Sequence, residues 1–207
     1  MWLTTERGHK YIPEKQRNVK LTRDDGWETF INFVKTKKTK AKTYVVDTVT
    51  GLYDMCFNHT CKVNGWNHPS DGPHGKGWAA VKKEFIEGLS RLIDLADKHN
   101  STVIIIDHSK VDLIETTTAE IEKVVCSMPG QARGVVLPIP DHIWFLAYDE
   151  KDAKDALRNE TTKRCLFIKG NGLIEAGTRD NTVTISKVRP LSKKTPYQQI
   201  IKAVSYT

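Results

Sequence analysis

The sequence predicts an α/β fold with a mainly parallel central sheet flanked by helices, and two observations lead to this prediction. Apolar segments of strand length alternate along the chain with segments of helical periodicity. The strand predicted at residues 102–107, TVIIID, is apolar on both faces, as in the centre of a parallel sheet covered by helices. The 207 residues suffice for one well-cored domain but not for two comfortable ones, so a single domain is predicted over residues 1–207.

The first half of the chain contains the clearest elements. A short strand is predicted at WLTT, and a helix in DDGWETFINFVKTKK, where Asp25 and Glu28 have the spacing of a capping box. A strand follows over residues 43–47, and GLYDMCFNHTCKV has apolar residues at helical spacing. The loop NGWNHPSDGPHGKG, rich in Gly and Pro, precedes a long amphipathic helix from Trp78 to about Lys98.

The second half contains shorter apolar segments. SMPGQARGVVLPIP is a connection with a helical turn, DHIWFLAYD predicts a third central strand, and KRCLFIKG and NTVTISKV are β-prone segments near the end of the sheet. The charged stretch DEKDAKDALRNETTK is predicted to be an exposed helical turn or a loop. Trp78 and Trp144 lie on apolar faces, and we expect both in the core; the alternative is that they are platforms on which bases stack.

Composition excludes several classes of protein. The longest apolar runs fall well short of the roughly 20 residues of a membrane span, and no secretory leader is visible, so we expect a cytoplasmic protein without a membrane partner. The four cysteines are too few and too irregular for a disulfide framework, which favours free thiols. The formal charge of +7 favours a polyanionic partner.

Carboxylates follow three of the predicted strands. Glu6 comes after WLTT, Asp47 ends the strand before Thr48, and Asp107 ends the next strand before His108. Ligands of an open parallel sheet bind outside the carboxyl ends of its strands. One carboxylate there can hold Mg²⁺ through water and another can orient the water that attacks a phosphorus atom. The alternative is that polar residues simply emerge where strands end.

Seven blocks, in this order, resemble the phage-encoded RecA-like ATPases of the AAA-domain type. They are LTTERGHKYI, GWETFINFV, TYVVDTVTGLYDMC, HPSDGPHGKGWAAVKKEF, VIIIDHSK, PGQARGVVLPIPDHIWFL and LFIKGNGLIEAGTRDN. The resemblance implies a RecA-like P-loop NTPase core that binds ATP with Mg²⁺ and acts on single-stranded DNA. It further implies a homo-oligomeric ring or filament that serves phage DNA recombination or replication in the cytoplasm of the infected bacterial host.

The same resemblance implies roles for individual residues. Asp47, with Thr48 beside it in the nucleotide site, falls in the Walker B position and is the expected metal-binding residue. Glu6 falls where the family places the carboxylate that polarises the attacking water, and His108 where it places a polar residue that senses the nucleotide. Lys169 and Arg179 lie in the block IKGNGLIEAGTR, where such assemblies supply basic groups to the phosphates of a neighbouring subunit.

The phosphate-binding loop of that family, G-x-x-x-x-G-K-[ST], would precede WLTTE, and the sequence starts at Met1. Neither GPHGKG nor GLIEAG places G-K-[ST] between a strand and a helix. Three explanations stay open: a fragment, the downstream part of a split gene whose upstream polypeptide carries the loop, or a natural short form. We therefore expect an ATPase by resemblance, with weak nucleotide binding and doubtful hydrolysis by this chain alone. The alternative is a non-hydrolysing DNA-binding or assembly module with the same fold.

Basic and aromatic residues of the predicted loop are candidates for DNA contacts. His74 and Lys76, with Trp66 and His68 nearby in sequence, offer phosphate contacts and stacking to a single strand. Arg133 is predicted to face a DNA channel or a subunit boundary. An ordinary surface is the alternative for the loop and for Arg133.

Overall fold

A computed structural model describes residues 1–6, 18–22, 24–36, 38, 40–117, 119–148 and 164–188. The predicted exposed segment at residues 149–163 lies outside these described residues. The chain divides into two compact units. The first consists of Met1–His108 and Ser127–Val136, and the second of Ser109–Cys126 and Leu137–Thr207. The expectation of a single domain over the whole chain stays a prediction.

The first unit contains a four-stranded parallel sheet with the strand order β2-β1-β3-β4. Its strands are β1 Trp2–Thr4, β2 Asn18–Lys20, β3 Thr43–Asp47 and β4 Thr102–Ile106. Thr4 lies opposite Asp47, and Asp47 lies opposite Ile106, so the three strands end at one level of the sheet. The predicted α/β fold with a parallel sheet flanked by helices is confirmed.

Among the described residues four helices belong to the same unit; the first three were predicted as helices, and the fourth occupies the connection in which a helical turn was predicted. They are α1 Gly26–Thr36, α2 Val49–Asn64, α3 Lys76–His99 and α4 Gly130–Val136. Two 3-10 turns, Pro69–Asp71 and Pro73–Gly75, occupy the loop between α2 and α3. No helix in the described part of the chain combines the length and the apolar character needed to cross a membrane.

Aromatic side chains hold α1, α2 and α3 together. The ring of Trp27 lies 5.3 Å from that of Phe30 and 6.2 Å from that of Phe85, and Tyr53 packs edge-on against Phe85 at 5.1 Å. Nε1 of Trp27 donates a hydrogen bond to Oε1 of Glu84 at 2.9 Å, which satisfies the polar edge of this buried indole. The apolar stripes that predict these helices therefore form one shared core.

Gly88 lies where α3 passes Trp27. A methyl group added at Gly88 would lie 2.8 Å from Cζ2 of Trp27, whose side chain is 1% exposed and cannot move aside. We expect Gly88→Ala to lower the free energy of unfolding by about 1–3 kcal/mol, as overpacked cores do. The control Gly134→Ala, at an exposed helical site with nothing within 4 Å of the new methyl, should raise it by about 0.5–1 kcal/mol. Urea unfolding measures both, and a stabilised Gly88→Ala would contradict this reasoning.

The position of β4 differs from the prediction. Its apolar sequence predicts the centre of the sheet, whereas β4 is the last strand of the described sheet and Ile104 is 38% exposed. An apolar run indicates that the side chains of a strand favour burial, but it does not show how many neighbouring strands pair with it.

The second unit is built from short antiparallel pairs. Its strands are β5 Ser109–Glu115, β6 Glu120–Cys126, β7 His142–Ile143, β8 Phe145–Tyr148, β9 Arg164–Phe167, β10 Gly177–Thr178 and β11 Lys187–Val188. β5 pairs with β6, β7 pairs with β10, and β9 lies between β8 and β11. The predicted third central strand is therefore wrong, because its residues divide at Trp144 between two antiparallel sheets.

Candidate functional site

An open cleft of about 720 Å³ lies at the carboxyl ends of the strands in the first unit. Thr5, Glu6, Thr48 and His108 line it from the strand ends. Residues of α2, together with Trp78 and the start of α4, form its other walls. Both its size and its place at this edge of a parallel sheet are typical of a ligand-binding site.

Glu6 is the centre of the polar end of the cleft. Its Oε1 accepts a hydrogen bond from Oγ1 of Thr48 at 3.2 Å and lies 3.0 Å from Nε2 of His108. These three residues follow three neighbouring strands, β1, β3 and β4. The structure thus brings together Glu6, Thr48 and His108, which the sequence assigned to one site.

The turn from β3 into α2 is fastened to the end of β1. Thr48 is the N-cap of α2, and its Oγ1 accepts a hydrogen bond from the backbone N–H of Gly51 at 3.3 Å. The backbone N–H of Thr48, which follows a cis peptide bond, donates to Oγ1 of Thr5 at 2.8 Å. The N–H of Thr5 in turn donates to the carbonyl oxygen of Asp47 at 2.8 Å. The backbone around Glu6 and Asp47 is therefore held as one piece.

Asp47 is half-buried at the end of β3, and its pKa is raised above the ordinary value of 3.8. Burial is the largest cause, because it removes water from the carboxylate, and the negative charge of Glu6 adds to the effect. His108 acts in the opposite direction and lowers the pKa of Asp47. Asp47 and Glu6 thus repel each other electrostatically, although Asp47 itself is not among the residues that line the cleft.

The donor groups of this polar end fit a magnesium ion. Carboxylate and hydroxyl oxygens are the hard ligands that Mg²⁺ prefers, and a cation would relieve the repulsion between Asp47 and Glu6. In the described part of the chain no three His, Cys, Asp or Glu side chains cluster as metal ligands. Mg²⁺ needs no such cluster, because it binds one or two carboxylates and keeps several waters.

Asp107 has a role that the sequence did not predict. Its Oδ1 accepts from Oγ1 of Thr50 at 2.7 Å, and its Oδ2 accepts from Oγ of Ser127 at 3.2 Å and from the N–H of Met128 at 3.1 Å. The carboxylate therefore joins the first turn of α2 to the segment that leads into α4. Because Thr50 and the residues after Met128 line the cleft, Asp107 fixes the distance between two of its walls.

We expect Asp107→Asn to lower the free energy of unfolding of the first unit by about 1–3 kcal/mol, because an amide nitrogen cannot accept the hydrogen bonds that one carboxylate oxygen accepts. Asp112→Asn is the matched control, since Asp112 makes an exposed ion pair with Lys110 at 3.7 Å on the β5–β6 hairpin. Such a pair contributes about 0–1 kcal/mol. Urea unfolding followed by far-UV circular dichroism compares the two variants, and equal losses would rule out a special role for Asp107.

Lys169 and Arg179 belong to the second unit. Lys169 is exposed after β9, and its backbone N–H donates a hydrogen bond to the carbonyl oxygen of Ser186 at 3.1 Å. Arg179 is exposed after β10, where its Nη2 donates to the carbonyl oxygen of Pro138. Their role toward phosphates stays a prediction.

The residues predicted to contact DNA belong to the first unit. His74 is exposed in the second 3-10 turn, and Lys76 is exposed at the start of α3. Arg133 is half-buried on α4. These three residues are not among those that line the cleft, and their role stays a prediction.

Two tryptophans differ from the predicted core positions. Trp78 is only half-buried and lines the cleft, where its ring lies 5.8 Å from that of Phe57 on α2. Trp144 is 36% exposed in the second unit. Both residues fit an apolar periodicity, so the pattern alone could not distinguish a core position from the wall of a cleft.

Comparison with protein families matches residues 1–179 to the AAA domain. Comparison with curated proteins and with solved structures gives no match. The family match covers most of the chain, including the whole of the first unit and the cleft at its strand ends. The chain therefore belongs to the AAA domain family, which indicates a nucleotide-binding, ATPase-type domain.

Proposed function

We propose that this protein binds ATP with Mg²⁺, weakly by itself, that its residues serve the hydrolysis of ATP to ADP and phosphate, and that it acts on single-stranded DNA in phage recombination or replication. The observation that carries the proposal is the cluster of Glu6, Thr48 and His108 around Oε1 of Glu6, next to the half-buried carboxylate of Asp47. The action on DNA and the phage context rest on the resemblance of the ordered sequence blocks, together with the charge of +7.

The proposal assigns one task to each polar residue. Asp47 holds Mg²⁺ through water, and the ion, when bound, neutralises phosphate charge. Glu6 orients the attacking water and takes its proton at a carboxylate oxygen. Thr48 holds Glu6 in position through its Oγ1, which donates to Oε1 at 3.2 Å. His108 contacts the same oxygen from the end of β4 and links the state of Glu6 to the backbone that follows this strand.

The charge of the cleft makes the binding of ATP depend on Mg²⁺. Glu6 and Asp54 line it, and among its described lining residues there is no lysine or arginine. A triphosphate alone is repelled by these carboxylates, whereas a magnesium-bound triphosphate carries less negative charge. We therefore expect ATP to bind this chain only together with Mg²⁺.

The experiment is equilibrium binding of a fluorescent ATP analogue to the 207-residue chain, with and without Mg²⁺ and single-stranded DNA. Asp47→Ala is the test variant, and Asp94→Ala, at an exposed position of α3, is the control. We expect magnesium-dependent binding that Asp47→Ala abolishes and Asp94→Ala leaves unchanged.

A second candidate is a DNA-binding or assembly module that does not hydrolyse ATP, because the described lining of the cleft offers no lysine or arginine to hold the phosphates. If the chain binds single-stranded DNA but no Mg·ATP, the ATPase proposal fails and this second candidate remains. DNA affinity that falls steeply with salt is expected for both candidates and does not distinguish them.

A further inference from the structure

One wall of the cleft is aromatic. Phe57 of α2 and Trp78 of α3 line it, and His68 packs against both rings from the loop between these helices. The ring centres of Phe57 and Trp78 lie 5.8 Å apart, and those of His68 and Trp78 lie 5.2 Å apart. We call Phe57, His68 and Trp78 the aromatic wall.

Hydrogen bonds of the loop hold the aromatic wall in place. Oδ2 of Asp71 accepts from the backbone N–H of Asn67 at 2.9 Å and of His68 at 3.1 Å. Nδ1 of His68 accepts from the N–H of Ser70 at 3.2 Å, in the tautomer that leaves this nitrogen unprotonated. The ring that supports Trp78 is therefore positioned before any ligand arrives, which reduces the entropy cost of binding.

The geometry of the aromatic wall leaves room for a stacked ligand. The ring of Trp78 makes angles of 58° with Phe57 and 83° with His68, so neither ring lies parallel to it. Among the described residues, no aromatic ring stacks face to face on Trp78. A nucleobase is a flat ligand, and any of the bases can stack on such an indole. Asn58, exposed beside Phe57, offers an amide donor and acceptor to the edge of a base.

The charge of the cleft supports a base rather than a phosphate at this wall. Asp54 is exposed on α2 and lines the same cleft, and among the described lining residues there is no lysine or arginine to attract a phosphate. Stacking on a neutral ring needs no such cation. We propose that Trp78, with Phe57 and Asn58, forms a nucleobase-binding subsite of the cleft.

This inference deepens the proposed function. It rests on that function where the base is the adenine of bound ATP. The base belongs either to the bound ATP or to a nucleotide of single-stranded DNA. The shared chemistry is the flat heterocycle with hydrogen-bonding groups at its edge, and the two sources are distinguished by the choice of probe.

The experiment compares the affinities of the full chain and of Trp78→Leu for two base-bearing probes, Mg·ATP and oligothymidylate. Each has a base-free counterpart, magnesium tripolyphosphate and an abasic oligonucleotide. We expect Trp78→Leu to weaken one base-bearing probe by about 5- to 100-fold, the usual size of one base–aromatic stack, and to leave its counterpart unchanged. Loss of affinity for Mg·ATP identifies the base as adenine, whereas loss for oligothymidylate identifies it as part of the DNA strand.

Two further variants keep the test decisive. Trp144→Leu makes the same change at an exposed tryptophan of the second unit and should alter neither affinity. Trp78→Phe keeps an aromatic ring, and it replaces Trp78→Leu in the test if the leucine variant does not fold. The base-bearing probe should quench the tryptophan fluorescence of the wild-type chain more strongly than that of Trp78→Phe.

Three results would overturn the subsite: unchanged affinity of Trp78→Leu for both base-bearing probes (or, if that variant does not fold, equal quenching in the wild-type chain and in Trp78→Phe), equal weakening of the base-free probes, or no binding of either base-bearing probe by the wild-type chain. The Asp47→Ala variant separates this inference from the proposed function. If Asp47→Ala leaves Mg·ATP binding unchanged while Trp78→Leu weakens oligothymidylate, the ATPase proposal fails and the subsite stands. If only Asp47→Ala has an effect, the subsite fails alone.

Discussion

Replacing Glu6 by glutamine is expected to lower the rate of phosphate release from Mg·ATP by about 10²–10⁴-fold, the contribution typical of a positioned acid–base group. The amide oxygen of glutamine can still accept hydrogen bonds from Thr48 and His108, so the geometry around the side chain is preserved. What is lost is the negative charge of the carboxylate and, with it, the ability to take a proton from water. We therefore expect Mg·ATP binding to persist while turnover falls.

Glu87→Gln is the matched control for this prediction. Glu87 pairs with Lys83 at 3.9 Å on the exposed face of α3, and its replacement should change turnover by less than about twofold, as surface substitutions usually do. Phosphate release in the presence of Mg²⁺ and single-stranded DNA measures both variants. Equal rates for Glu6→Gln and the wild-type chain would exclude Glu6 as the group that activates water.

Asp47→Asn is expected to have opposite effects on activity and stability. Magnesium-dependent binding of ATP should be lost, because the amide carries no charge to hold the ion. The free energy of unfolding at neutral pH should rise, since the variant no longer keeps a half-buried carboxylate beside Glu6. Residues that serve a ligand often reduce stability in this way.

The stability gain of Asp47→Asn should depend on pH, and its sign follows from the raised pKa of Asp47. Between the ordinary value of 3.8 and the raised value, the folded chain holds this proton more tightly than the unfolded chain does. The contribution of Asp47 to stability therefore falls as the pH rises through this interval, and the full penalty applies above it. The advantage of the variant should be largest near neutral pH and should vanish below the ordinary pKa.

Thermal unfolding of both proteins over a range of pH measures this difference. Asp94→Asn, at an exposed position of α3, should show no such dependence on pH. A lower melting temperature for Asp47→Asn at neutral pH would show that the Asp47 carboxylate is stabilised rather than strained in the folded chain.

The parts of the fold that the sequence predicted are those with long or strongly periodic patterns. Helix α3 repeats its apolar residues over several turns, and the five residues of β3 are followed at once by the N-cap Thr48. The rule for parallel sheets then predicts that Glu6, Asp47 and His108 lie at one edge of the sheet. These predictions succeeded because they depend on local periodicity and on a general property of parallel strands.

The second unit was harder to predict for a physical reason. Three of its strands, β7, β10 and β11, have two residues each, which is too short for an alternating pattern to appear. The β5–β6 hairpin was missed although it is longer, because Val111 and Leu113 remain more than 60% exposed and no buried face produces a clear alternation. The remaining signal was weak, because Val111 and Leu113 alternate with charged residues in SKVDLIE but Val124 and Val125 are adjacent in EIEKVVC.

The contacts of single side chains in the site also could not be predicted. Asp107 seemed to share the ligand edge with Glu6, but its carboxylate bonds to Thr50, 57 residues away, and to Ser127, 20 residues away. Such partners are set by how the helices dock, which a strand-end pattern does not contain. Trp78 was missed for the same reason, since one helix stripe can serve both a core and a cleft.

The hydroxyl of Thr48 has two simultaneous bonds, one accepted from Gly51 at the start of α2 and one donated to Glu6. Folding of this helix and alignment of the Glu6 carboxylate therefore share a single atom. During evolution, a lineage could not improve one without altering the other. Serine, which keeps the hydroxyl, is the natural replacement that preserves both, whereas valine, with nearly the same shape, would lose both in a single mutational step.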